Sequence, residues 1–211
     1  LLMLYRTQQG FEEGVEEADL MESNGLCMEI MEGSEIHDLD SDIRPDIVGG
    51  IYYRNDGNLN PFQFVTSLAS RIRTLGANIK EQTKVLDIYS SKNGITKIRT
   101  LTKEYYAKHV VIAAGSWSPY LLNNFSLNLP IIPAKGYSVT FEKPTGALTI
   151  PAILGEVKVG VNPMGSMMRL AGTLELTGFD FSENPRRVNA MVKAANDYIV
   201  SVRTIQNISK N

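Results

Sequence analysis

The segment Val110-Val111-Ile112-Ala113-Ala114-Gly115-Ser116-Trp117-Ser118 runs an apolar stretch into a small-residue turn, followed by a helix-capable segment. This pattern predicts a buried strand whose end lets another molecule approach the backbone, because Ala and Gly present little or no side chain. The plain alternative is an ordinary strand-turn-helix corner. A second chemical region is Arg169 to Glu175, where strict alternation puts Arg169, Ala171, Thr173 and Glu175 on one face and Met168, Leu170, Leu174 and Leu176 on the other. Arg and Glu on one face form either a surface ion pair or a polar wall beside a bound small molecule. Tyr52, Tyr53 and Tyr137 form a third set, either packing residues with wet hydroxyls or the lining of a cavity.

Other chemistries lack their residues. Gly115-Ser116-Trp117-Ser118-Pro119 is not a Gly-x-Ser-x-Gly elbow, and no Asp-His pair is placed to activate Ser116. His37 and His109 lie far apart and no His/Cys group has metal-ligand spacing, so no metal site is expected. No catalytic residue is identified. Cys27, the single cysteine, excludes an intramolecular disulfide and fits a reducing compartment. A net charge of -2, with no basic run, gives no electrostatic reason to expect nucleic acid. No apolar run reaches the roughly 20 residues a membrane span needs. The apolar start lacks the charged region and cleavage site of a signal peptide.

Several elements must position these residues. Phe11, Val15 and Ala18 recur at helical spacing and predict a helix over 12–24, stopped by Asn24-Gly25; its Glu12, Glu13, Glu16 and Glu17 are a solvated face. Residues 36–46 read as a loop with a short helical turn, and 48–54 as a strand. Asn60 and Pro61 open a helix whose apolar stripe is Phe64, Val65, Leu68, Ala69, Ile72 and Leu75, closed by Gly76. Short strands follow at 78–80, 84–89, 96–101, 105–107 and 109–113, with Asn93-Gly94 as a hairpin turn. A short helix at 119–123 precedes strands at 134–142, 148–154, 157–161 and 167–176, and a last helix covers 183–201.

Taken in order, Asp56-Gly57-Asn58-Leu59-Asn60-Pro61, Thr83-Lys84-Val85, the 110–118 turn, Pro133-Ala134-Lys135-Gly136-Tyr137-Ser138 and Arg169 to Asp180 resemble the middle of a flavin-dependent amine or amino-acid oxidoreductase. The bacterial D-amino acid dehydrogenase branch is the nearest likeness, with glycine and sarcosine oxidases as cousins. The resemblance covers nearly the whole chain. It implies an α+β fold of mixed α/β character: an antiparallel substrate-binding sheet with flanking helices, plus part of an FAD-binding Rossmann-like domain. It divides the chain into a helical and loop part (1–47), a sheet and helix including part of the FAD-binding domain (48–125), and a substrate-binding sheet with a terminal helix (126–211).

The resemblance also implies roles. Ala114, Gly115 and Trp117 lie against FAD, with a larger residue at Gly115 blocking close approach. The backbone of Val85 meets the adenine, and Gly172 and Thr173 approach the isoalloxazine. Tyr53, Tyr137 and Arg169 are the candidate substrate-binding residues. Many relatives carry His where this chain has Asn58, which weakens an acid-base role there. The implied reaction is hydride transfer from the α-carbon of a D-amino acid or similar small amine to flavin N5, giving an imine that hydrolyses to a keto acid. Oxygen and quinone stay open as electron acceptor. The expected location is cytoplasmic, with peripheral association of the parent protein with the inner membrane left open.

No Gly-x-Gly-x-x-Gly turn occurs, and the family's closing segment with a carboxylate-binding arginine is absent. The expectation is an interior fragment of a longer flavoenzyme, with FAD held by the parent and weakly or not at all by the fragment. Another flavin amine oxidase, of glycine or sarcosine type, and a non-catalytic binding module are the alternatives.

Overall fold

Strands that alternate apolar and polar residues need a partner for the apolar face, and here most of them join one sheet. The computed structural model describes residues 1–90 and 96–204. In chain order the elements are β1 (Leu2–Tyr5), α1 (Gln8–Ser23), β2 (Glu29–Glu32), α2 (Gly33–Leu39), β3 (Gly49–Tyr52), α3 (Pro61–Thr74), β4 (Val85–Ser90), β5 (Thr96–Thr100), β6 (Glu104–Ala107), α4 (Ser118–Leu121), β7 (Lys135–Glu142), β8 (Ala152–Leu154), β9 (Val159–Met164), β10 (Met167–Glu175) and α5 (Pro185–Asn196). They form two compact units. The first comprises Leu1–Pro61, Lys135–Glu175 and Asp180–Asn211, and the second Phe62–Ala134 and Leu176–Phe179. The mixed α/β class expected from the sequence is the class found.

The first unit is a seven-stranded sheet in the order β2-β3-β1-β8-β9-β10-β7. Only β1 and β8 run parallel, and every other pair is antiparallel. On one face Leu2, Leu4, Leu154, Val161, Met168, Leu170 and Val139 bury against Ile36 of α2 and Met191, Val192 and Ala195 of α5. On the other, Tyr5 and Ile51 pack with Phe11 and Ala18 of α1. Asp42 ties remote segments to this core: its buried carboxylate accepts from the amide of Leu148 and from the amide and hydroxyl of Ser201, each at 2.7 Å. The second unit carries the antiparallel meander β4-β5-β6. The expected Asn93-Gly94 turn lies outside the described residues.

Several expectations change on contact with the structure. The 109–113 run forms no strand, and Val111 is 89% exposed. An apolar run becomes a strand only where another strand accepts its ladder hydrogen bonds, and among the described residues none does. Residues 78–80 form no strand either. Of 148–154 only the last three residues pair, because the amides of Leu148 and Thr149 are taken by the carboxylates of Asp42 and Asp40. β2 was not expected; Glu29, Ile30, Met31 and Glu32 mix polar and apolar residues without a clean period, and pairing with β3 sets them as an edge.

β10 contains the most consequential departure. Its register against β7 shifts between Gly172 and Leu174, and Thr173 takes a left-handed φ of +53°. One inserted residue reverses the alternation beyond it. Leu174 therefore joins the Arg169 face, opposite Gly136, and Glu175 turns to the other face, opposite Lys135. The strict alternation expected for 167–176 holds only up to Gly172. Among the described residues, no helix is long and apolar enough to cross a membrane, and no group of His, Cys, Asp and Glu could hold a metal ion.

Candidate functional site

In the second unit, the 110–117 segment, the start of β4 and α4 enclose a cavity of about 810 Å³ with largely apolar walls. Its lining brings together Val85, Ala114 and Trp117, three of the residues nominated from the sequence, with Lys84, Leu86, Tyr120, Leu121 and Phe179. Phe179 organises the aromatic wall, with its ring 5.0 Å from that of Trp117 and 5.7 Å from that of Tyr120. Trp117 and Tyr120 are more than half exposed, so their faces are available to a planar ring, which stacks favourably on aromatic surfaces at such spacing. Lys84 is the only charged residue of the lining. The sequence reading singled out neither Tyr120 nor Phe179, the latter falling only within the Arg169 to Asp180 segment. Gly115 adopts φ +52°, and a Cβ built there would meet nothing within 4 Å. Within the chain itself, glycine is favoured at this position by backbone conformation.

In the first unit, the uncovered part of the sheet is a floor of small residues. Gly136, Ser138, Gly160 and Ala171 share one face of β7, β10 and β9, with Arg169, Thr140 and Asn162 beside them. Arg169 donates from Nε to Thr140 Oγ1 at 2.8 Å and forms no ion pair among the described residues. Glu142 shares the face and is not bonded to it. Tyr53 lies towards the α1 end of this face, packed beside Tyr5 and Ile51, where burial raises its pKa. Tyr137 points the other way, its hydroxyl donating to Glu175 Oε2 at 2.6 Å. The structure therefore sets Arg169 and Tyr137 on opposite faces and Tyr53 several strands from Arg169.

Glu175 is the centre of a polar cluster that sequence reading placed on the wrong face. Besides the hydroxyl of Tyr137 it receives Lys135 Nζ at 3.2 Å and the guanidinium of Arg187 on α5. The Tyr137 hydrogen bond, followed by those from Lys135 and Arg187, outweighs desolvation and holds its carboxyl at about 2. Arg187 also donates from Nη1 to Thr173 Oγ1 at 2.6 Å. Gly172 is tightly packed: a Cβ there would sit 3.0 Å from Val159 Cγ2 and 3.2 Å from Lys158 O, so its neighbours would have to give by a few tenths of an ångström.

The residues present suit the planar part of a dinucleotide cofactor better than its pyrophosphate. A helix N-terminus attracts anions, and beside that of α1 stands the protein's own Glu156, bonded to the two amides that precede the helix. Its Oε1 accepts from the amides of Arg6 and Thr7 at 2.8 and 2.9 Å and from the Thr7 hydroxyl at 3.0 Å. Tyr198 donates to the second oxygen at 2.6 Å. The cavity of the second unit offers aromatic walls for a planar ring.

The family model described as "DAO: FAD dependent oxidoreductase" matches residues 1–209. The D-amino acid dehydrogenase of Dechloromonas aromatica (strain RCB) is 29% identical over 202 residues, 91% of this chain and 48% of the relative. That of Vibrio atlanticus (strain LGP32) is 27% identical over 190 residues, 85% of this chain and 44% of the relative. The chain thus spans about half the length of the curated relatives it matches. Among solved structures, the glycine oxidase of Bacillus cereus ATCC 14579 superposes with a TM-score of 0.89 over 96% of this chain and 55% of its own, at 23% identity, which shows a shared fold.

Proposed function

We propose that this chain, which belongs to the DAO family of FAD-dependent oxidoreductases, forms the substrate-side sheet and part of the flavin cradle of an enzyme that oxidises D-amino acids. The observation that carries the substrate class is Arg169. A guanidinium without an ion-pair partner, beside a floor of small residues, suits a carboxylate, which it can meet with two parallel hydrogen bonds. The small side chains of Gly136, Ser138, Gly160 and Ala171 leave room above the sheet for the rest of the molecule. Trp117, Tyr120 and Phe179 would hold a planar ring of FAD, with Val85 and Ala114 at its edge and Gly115 shaping the turn. FAD, when bound, supplies the two-electron acceptor. The chain's own part is to bind, orient and shield the substrate from water. A neutral amine needs no strong side-chain base, in keeping with the absence of an identified one.

The 211-residue chain alone is expected to bind FAD weakly or not at all, because it has no Gly-x-Gly-x-x-Gly turn leading into a helix to receive the pyrophosphate. The deciding experiment is the visible absorbance of the longer protein that carries this chain, with D-alanine and with glycine under anaerobic conditions. Flavin bands that bleach with D-alanine support the reading. Bleaching with glycine alone moves it to a glycine-type amine oxidase, and a colourless, unresponsive protein moves it to a binding module.

A further inference from the structure

A β-branched residue with positive φ is a rare and strained conformation, and Thr173 holds one at φ +53° near the C-terminal end of β10. Left-handed bulge positions normally take glycine. Gly172 stands next to it, yet the bulge residue is the threonine. β7 pairs with the strand on either side of it, and among the described residues one side chain from another element is bonded to the threonine itself. Arg187 reaches from α5 to Thr173 Oγ1 at 2.6 Å and to the carboxylate of Glu175, the residues on either side of Leu174.

We propose that Arg187 is a positioning residue: it locks the Thr173 bulge and so turns Leu174 onto the Arg169 face of the sheet while keeping Glu175 off it. This rests on the reading of that face as the substrate floor. Without the bulge, period-two alternation would reverse the two side chains. Leu174 would leave the floor, and a carboxylate would take its place on the face that is to receive a carboxylate. The side chains of Lys135 and Tyr137 share Glu175 with Arg187, and their backbones pair with Glu175 and Gly172 on either side of the bulge; among the described residues, the side chain bonded to both Glu175 and Thr173 is that of Arg187.

Leu174, 68% exposed, stands at the end of the floor away from Arg169. Four strand positions separate their β7 partners, Gly136 and Thr140, which is about 13 Å along the strand. A substrate anchored at Arg169 reaches Leu174 only with a long side chain. The lock therefore sets preference among side chains rather than the oxidation itself.

The test compares R187M and R187M/T173G in the FAD-loaded protein that carries this chain. Amide exchange at 172–175 is followed without substrate, and kcat and KM are measured for D-alanine and D-phenylalanine. R187M should accelerate exchange there and raise KM for D-phenylalanine by roughly tenfold, the scale of one charged hydrogen bond, with kcat for D-alanine little changed. Glycine adopts the left-handed conformation without a lock, so T173G should restore slow amide exchange at 172–175. R187K, which keeps the charge but lacks the planar fork of two separate donor arms, should move both readouts the same way and serves if R187M does not fold. Unchanged exchange and KM in these variants, or a loss of slow exchange that T173G does not restore, would overturn the lock while leaving the substrate floor intact. A wild-type protein that oxidises no D-amino acid would remove the floor, and the inference with it.

Discussion

The two units treat similar apolar patterns differently. In the first, Leu2, Leu4, Leu154, Met168 and Leu170 are fully buried between sheet and helices. In the second, α3 carries an equally regular stripe, yet Phe64 is 54%, Leu68 47% and Leu75 70% exposed, and no residue of α3 is buried. Val111, in the most apolar run of that unit, is barer still. Periodicity specifies that a helix has an apolar face; burial also needs a second surface to receive it. Contiguous apolar exposure of this kind marks a surface that meets something. The chain's relatives are about twice as long as the part it matches.

Substitutions can break this contrast. In the 211-residue chain, Leu170→Ala should lower unfolding free energy by roughly 2–5 kcal/mol, through lost burial and a cavity. Leu68→Ala should change it by less than about 0.5 kcal/mol, because the removed atoms are already wet and alanine favours helix. Urea denaturation of both variants decides. Equal losses would mean that the α3 stripe is buried in solution. Repeating Leu68→Ala in the longer protein sharpens the point, since a large loss there shows that another segment covers the stripe.

A smaller effect separates conformation from contact at the turn. Gly115→Ala meets no atom but forces alanine to φ +52°. It should cost about 1 kcal/mol in thermal or urea unfolding. A loss several times larger, in the longer protein only, would restore the steric explanation by showing that a group approaches Gly115 there.

The smallest effect belongs to the first unit's polar cluster. Folding depresses the Glu175 carboxyl from 4.5 to about 2. A depressed carboxylate stabilises the fold fully above pH 4.5, and that contribution fades as pH falls towards 2. Glu175→Gln should therefore flatten stability against pH over this interval. Denaturation series for both proteins across the interval test it, and parallel curves would show that the cluster adds no pH-dependent stability.

Much was legible without coordinates. Pro61 opens α3 and Gly76, at φ +91°, closes it, as local backbone chemistry requires. The alternation of 135–142 marked β7, and the ordered motifs pointed to the family that matches nearly the full chain. The gathering of Val85, Ala114 and Trp117 at one cavity also followed their nomination, though Phe179, which completes the aromatic wall, comes from a segment about 60 residues further on. No local signal links it to Trp117.

Composition, periodicity and turn chemistry act through neighbours in the chain, so residue types settled where most helices and strands form, while the cofactor family followed from the likeness of the ordered motifs to known flavoenzymes. Three matters were decided by contacts between distant residues. The parallel pairing of β1 with β8 joins positions 150 residues apart, Leu2 with Ala152. Ladder partners determined that 109–113 is not a strand. The reach of Arg187 from α5 accompanies a left-handed Thr173, which assigns Leu174 and Glu175 to faces that a period of two assigns the other way round. A one-residue bulge leaves no mark on an alternating pattern, because it is held by a side chain on another element.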